Sequence, residues 1–371
     1  MKITKIDSFA VRIPLKPKRR MISALGQQGD SEYLLVRVET DAGIEGAGEA
    51  TVMARWSGET VWSAQAMVDR MLAPKLIGLD PRAIEEIDAV IDAVTKDNWF
   101  AKSAIEMACW DIAGKDAGKP VYDLLDGPRR SNRIECRFSM GAYPLEQART
   151  IAEELVEAGF RTIKVKVGTN VAEDIARVKT VREVIGPDRA LVIDANGGWD
   201  AETAIAATKE MQSLNVSLFE QPTPRHEYAG LARVREETGI PVMADDTVFD
   251  LAQAQECLRN GACDVISVYP GKNGGIRKSR QIAEVAAERG VACSIGSNLE
   301  WDVASAAMCH LVVGTDNLQV ERFPGDILGP EYHEFSIVKN PLTIEGPFIE
   351  TPTGPGLGVE VDWGLATAHS V

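Results

Sequence analysis

Short apolar runs, each ended by a charged residue and followed by a helical pattern, recur through the middle of the chain. Leu191-Val192-Ile193-Asp194, Ser217-Leu218-Phe219-Glu220 and Val242-Met243-Ala244-Asp245 are three of them, and each closes on a carboxylate. Successive acids are 26 and 25 residues apart, the length of one strand-helix unit. Unbroken apolar runs of this kind mark parallel strands covered on both faces. Units beginning near Ile134, Arg161, Ala190, Val216, Pro241, Asp264, Val291 and Leu318 give eight strands in all. The pattern predicts an α/β chain with a (β/α)8-type barrel over 131–335.

The flanks read differently. Up to about residue 53 apolar and polar positions alternate, as in Ile6–Val11 and Tyr33–Val38, with turn chemistry at Asp41-Ala42-Gly43, which predicts a small antiparallel sheet. Between its strands, Lys16 to Asp30 is polar and long, either a solvated linker or a lid over a site. From Gly58 the period turns helical at Val61, Ala64, Met67, Val68, Met71 and Leu72, and a further helix from Ala101 to Ala117 ends at Gly118-Lys119-Pro120. Short strands return after about 335. An α+β capping domain, residues 1–130 joined by the tail 336–371, is therefore expected beside the barrel.

Composition narrows the function classes. A net charge of -15 opposes nucleic-acid or anionic-membrane binding, which needs basic patches. No run of about 18 apolar residues and no secretory leader is seen, so a cytoplasmic location is expected. Six cysteines without CxxC spacing read as buried free thiols. The expected partner is a small-molecule carboxylate, and the expected assembly a homo-oligomer.

In such a barrel every strand ends at one mouth, so Asp194, Glu220 and Asp245 converge there. Carboxylates brought together repel unless a cation lies between them, and oxygen-only ligation selects Mg²⁺ or Mn²⁺. Lys164 and Lys166, two apart on the strand Thr162–Val167, share one face. Alone they would suit an edge strand with a wet face; next to three strand-end acids they face the same mouth. A metal with open positions can hold a substrate carboxylate while a neighbouring C–H proton leaves. Lys164 and the cation both disfavour the ammonium form of Lys166, which makes Lys166 the candidate base and Lys164 the charge facing the substrate carboxylate.

With Asp194-Ala195-Asn196, Phe219-Glu220-Gln221-Pro222, Ala244-Asp245 and Asn273-Gly274-Gly275-Ile276, this constellation resembles the muconate lactonizing enzyme subgroup of the enolase superfamily over nearly the whole chain. The resemblance implies Mg²⁺ on Asp194, Glu220 and Asp245 and enolate chemistry on a carboxylate. Asp246 stands where the family usually has Glu. The resemblance also implies a second lysine on the sixth strand, five residues before the Gly-Gly pair, but this chain has Tyr269 there and Lys272 three residues on. A phenol with an ordinary pKa near 10 is a poor base and a serviceable proton donor. Tyr269 therefore points to a hydro-lyase similar to the cis-3-hydroxy-L-proline dehydratases. The alternative is a racemase or 2-epimerase of proline betaines or amino-acid derivatives, with Tyr269 or Lys272 on the opposite face.

Trp56, Asn298, Glu300 and Trp301 complete the candidate set. They read either as helix-start and packing residues or as an aromatic face and acids around the cationic nitrogen of a proline-like substrate.

Overall fold

A computed structural model describes residues 1–371. The alternating N-terminal segment forms β1 (Ile3–Pro14), the hairpin strands β2 (Met21–Ser23) and β3 (Gly26–Gln28), then β4 (Asp30–Thr40) and β5 (Glu45–Val52). Strands β1, β4 and β5 make an antiparallel sheet with β4 in the centre, where Tyr33, Leu34, Leu35, Val36 and Val38 are buried. The helix Trp99–Ala117 lies directly on this sheet because β5 carries Gly46 and Gly48. A Cβ at Gly48 would sit 1.7 Å from the Ala104 carbonyl oxygen, and one at Gly46 2.1 Å from that of Ala108.

The barrel begins with β6 (Arg133–Glu135) and β7 (Phe138–Met140), followed by β8 (Thr162–Lys166), β9 (Ala190–Asp194), β10 (Val216–Glu220), β11 (Val242–Ala244), β12 (Val265–Val268) and β13 (Ala292–Ile295). Strands β7 to β13 form one sheet of seven parallel strands in chain order. The eighth stave differs from expectation. Leu318–Glu321 turns rather than extends, with the Arg322 and Phe323 N–H groups donating to the Gln319 carbonyl, and Pro324 brings no N–H to a ladder. Single bridges, Cys293 to Leu318 and Cys136 to Gly325, close the ring through it.

The first stave is broken as well. The strand-like segment from Ile134 to Met140 splits at Cys136-Arg137, and β6 pairs with a tail hairpin, β14 (Ile344–Glu345) and β15 (Phe348–Glu350), while β7 joins the barrel. The rest of the tail returns to the capping sheet: the helix Trp363–Ala368 packs on β1, and the Val371 N–H donates to Ala10 O at 2.9 Å.

Period two explains where the acids point. Val192, Leu218 and Met243, with Val265, Ala292 and Phe323, fill the lower barrel as a separate apolar layer. Asp194, Glu220 and Asp245 each lie two residues beyond one of the first three, so they face inward one layer higher. No helix is long and apolar enough to cross a membrane, and all six cysteines are free and buried.

Candidate active site

Parallel register sets the site in a row: Lys166 pairs with Asp194, and Asp194 with Glu220. The Lys166 ammonium lies 2.5 Å from Asp194 Oδ2 and 2.7 Å from Asn196 Oδ1. Lys164 Nζ reaches three carboxylates, at 2.7 Å from Asp326 Oδ2, 3.0 Å from Glu220 Oε1 and 3.3 Å from Asp194 Oδ2. On the far side Lys272 Nζ is held 2.8 Å from Asp245 Oδ1, 2.9 Å from Asp245 O and 2.7 Å from Ser267 O. The backbone turns sharply beyond the strand ends, with φ of 42° at Asn196 and 38° at Gln221. Gln221 uses the turn to brace its neighbour, since its Oε1 accepts from the Asp245 N–H at 2.9 Å.

Charge is finely matched here. Burial and Arg137 oppose the Lys164 ammonium, but Asp326, Glu220 and Asp194 outweigh them and raise its pKa above the ordinary lysine value. Burial would lift Glu220, yet Arg137, Lys164 and Lys166 hold it well below the usual carboxylate range. Asp194 is raised by burial and by the charge of Glu220. Burial, with Asp245 and Asp194, pushes Asp246 to about 7. Tyr269 is lifted well above 10 by burial and by Asp245, so it remains a neutral phenol.

These groups surround a cavity of about 60 Å³ under the β2–β3 hairpin, whose Met21, Ser23, Leu25 and Gln28 form its roof. The Ala142 N–H donates to Ile22 O at 2.7 Å and fastens the hairpin to the barrel. Lys164, Lys166, Glu220, Asp245, Tyr269, Trp56 and Asn298 all border the cavity. Trp56 stacks on Tyr269 with ring centroids 5.8 Å apart and donates its indole N–H to Asp246. Asn298 donates to Thr51 O at 2.9 Å.

Glu300 and Trp301 lie behind the wall. The Glu300 carboxylate is tied into its own loop by Ser297 Oγ at 2.5 Å and the Asn298 N–H at 3.0 Å. Trp301 packs against Tyr33 and donates to Phe335 O at 3.0 Å. Leu299, at φ 63°, turns the loop so that it borders the cavity itself and sends Trp301 into the seam with the capping sheet. Arg137 was not singled out from sequence, yet it is buried at the cavity wall, 2.5 Å from Glu220 Oε2 and 2.8 Å from Asp326 Oδ2. An arginine inside the strand-like segment 134–140 was its one signal.

No three His, Cys, Asp or Glu side chains gather at ligand spacing about one point; lysine ammoniums lie among the carboxylates instead. The donors nevertheless fit a hard divalent cation. All are carboxylate oxygens at adjacent strand ends, Asp194 and Glu220 both lie within 3.3 Å of Lys164 Nζ, and Asp246 Oδ2 is buried with no partner.

Residues 147–365 match the family Enolase C-terminal domain-like, and residues 4–126 match Mandelate racemase / muconate lactonizing enzyme, N-terminal domain. The chain belongs to the enolase superfamily, in its muconate lactonizing enzyme subgroup. Among its enolase-superfamily relatives, an N-succinyl-L-Arg/Lys racemase of Bacillus cereus is 31% identical over 98% of this chain and 96% of the relative. Muconate cycloisomerase 1 of Rhodococcus opacus is 31% identical over 98% of this chain and 96% of its own. A solved dipeptide epimerase of Enterococcus faecalis, complexed with Mg and the dipeptide L-Leu-L-Tyr, is 32% identical at a TM-score of 0.91, covering 97% of this chain and 100% of the other. All three are named for isomerisation, so they favour the isomerase alternative over loss of water.

Proposed function

We propose that this chain is an isomerase that inverts the carbon next to the carboxylate of an N-acylated amino acid. The observation that carries the proposal is the pairing of acids at the cavity wall. Glu220 and Asp326 are bound by Lys164 and Arg137, and Asp245 by Lys272. A free imino acid or betaine would find no unpaired carboxylate among the acids that line the cavity, and a buried unpaired charge costs several kcal/mol. An amide nitrogen carries no such charge, which weighs against the proline-like substrate expected from Trp56 and Glu300. Kinship with a racemase and a dipeptide epimerase supports the same reaction class.

Lys166 and Tyr269 supply the two faces. Their strands, β8 and β12, are separated by β9, β10 and β11, which sets them across the ring from each other. Neutral Lys166 takes the α-proton and becomes an ammonium; Tyr269 gives its proton to the opposite face and becomes a phenolate. Return of a proton from Lys166 to Tyr269 through solvent resets the pair. Asp194, Glu220 and Asp245 would hold Mg²⁺, which supplies positive charge to the substrate carboxylate as the proton leaves.

Dehydration is the second reading, favoured by the raised pKa of Tyr269, which suits a donor better than a base. Incubation in D₂O with Mg²⁺ distinguishes the two. Inverted N-acyl amino acid carrying deuterium at the α-carbon supports the isomerase; a ketimine formed from cis-3-hydroxy-L-proline supports the dehydratase. Retention of every α-proton across both substrate classes would sink both readings.

A further inference from the structure

We propose that Asp326 and Arg137 are positioning residues that set the affinity of Glu220 for its cation. Asp326 cancels the charge of Arg137, which would otherwise weaken the hold of Glu220 on Mg²⁺. The inference rests on the reading that Glu220 is a metal ligand.

Arg137 occupies the break between β6 and β7. Its backbone N–H donates to Gly325 O at 3.0 Å, and the next residue along that segment, Asp326, donates its own N–H to Ile295 O at 3.1 Å. The two residues thus face each other where the first and last staves meet. Their side chains continue inward. Arg137 Nη2 lies 2.5 Å from Glu220 Oε2 and 2.8 Å from Asp326 Oδ2, while Nε lies 3.0 Å from the same Asp326 oxygen. Lys164 Nζ spans the same two acids, at 3.0 Å and 2.7 Å. Four charges therefore alternate in a closed ring: Arg137, Glu220, Lys164, Asp326.

The ring is poorly explained as a stabilising device. Buried ion pairs are often replaceable by apolar residues without loss of stability, and Arg137 Nη1 is buried with no partner at all. Its geometry is better explained by what it does to Glu220, both of whose oxygens are contacted by a cation, Oε1 by Lys164 and Oε2 by Arg137. Each positive charge beside a carboxylate competes with a metal ion for it, and in a buried cluster such effects reach tenfold or more per unit charge. Asp326 restores the balance, since one negative charge touches both cations.

Calorimetric titration of the full chain with MgCl₂, without substrate, tests this through the signs of three effects. Asp326→Asn is expected to weaken Mg²⁺ binding by about tenfold or more, because Arg137 is left uncancelled. Arg137→Met is expected to tighten it by a similar factor. The double variant should return to within a few-fold of the unaltered chain. A purely structural role would weaken all three, so weaker binding by Arg137→Met overturns the proposal, and that variant alone decides if Asp326→Asn does not fold. Failure of the unaltered chain to bind Mg²⁺ would instead overturn the ligand assignment of Glu220 on which the inference rests.

Discussion

Two sets of buried carboxylates in this molecule differ in the kind of partner they have. Where the capping domain meets the barrel, Glu49 accepts from the backbone N–H groups of Trp301, Val303 and Ala304 at 2.7, 3.2 and 3.1 Å, at the start of the helix Asp302–Gly314. Glu106 does the same for Ile276 and Arg277, at 2.8 and 2.9 Å, on the helix Ile276–Glu288. At the barrel mouth, by contrast, Asp194, Glu220, Asp245 and Asp326 are matched by lysine and arginine side chains. Helix-start N–H groups are fixed, and the acids they bind serve as docking pins. Ammonium groups on flexible stems can give way to a metal ion or a substrate. Between these two sets, the kind of partner, more than burial or pKa, separates acids that hold the molecule together from acids available for chemistry.

The comparison can be broken most sharply at Lys166. Lys166→Met should lower α-proton exchange by about 10³-fold or more while leaving the fold intact, read by deuterium incorporation alongside circular dichroism. Survival of exchange would move the base elsewhere. Tyr269→Phe should slow inversion by roughly 10²- to 10⁴-fold yet leave exchange into unreacted substrate, because only the second proton donor is lost. Glu220→Gln should weaken Mg²⁺ on the order of 10²-fold by calorimetry. Its counterpart in the seam, Glu106→Gln, should leave Mg²⁺ affinity unchanged and instead lower unfolding free energy by about 1 to 3 kcal/mol in urea titrations. If Glu106→Gln disturbed metal binding as much as Glu220→Gln, the two classes would merge.

A further effect concerns pH. Burial pushes Glu49 and Glu106 up to about 8, far above an unfolded glutamate near ~4.3. Between those values the folded chain holds protons that the unfolded chain has released, so their contribution to stability is present at low pH and lost as pH rises through about 8. Unfolding titrations at several pH values across this window should show a shallower decline for Glu49→Gln than for the unaltered chain. An identical slope would mean that Glu49 is already ionised in the folded state.

Much of the site was legible because period two and the strand-helix repeat are written in side chains: the spacing of Asp194, Glu220 and Asp245 and the Lys164/Lys166 pair each follow from geometry that sequence carries directly. The eighth strand was overread, since Leu318–Glu321 has a strand-like composition but is followed within a few residues by Pro324, which has no N–H to give a ladder. Glu300 and Trp301 lay beyond reach for a different reason. Which residue of a loop faces a cavity depends on one left-handed backbone angle, at Leu299, and leucine gives no hint of it. Arg137 was hidden by the break in its strand, on one side of which β15 captures β6.

That capture has a consequence for how the protein is made. A chain synthesised from its N-terminus delivers β6 long before β15, its partner, has been assembled, and β1 long before Ser370 and Val371 can bridge to it. Until residues 344–371 have been made and have folded back, one edge of the first barrel strand and the outer edge of the capping sheet stay unpaired, open to strands of neighbouring nascent chains. Production in cells should accordingly respond more to slowed translation or added chaperone than to changes in the catalytic centre, and the vulnerable stage is the interval before those residues arrive.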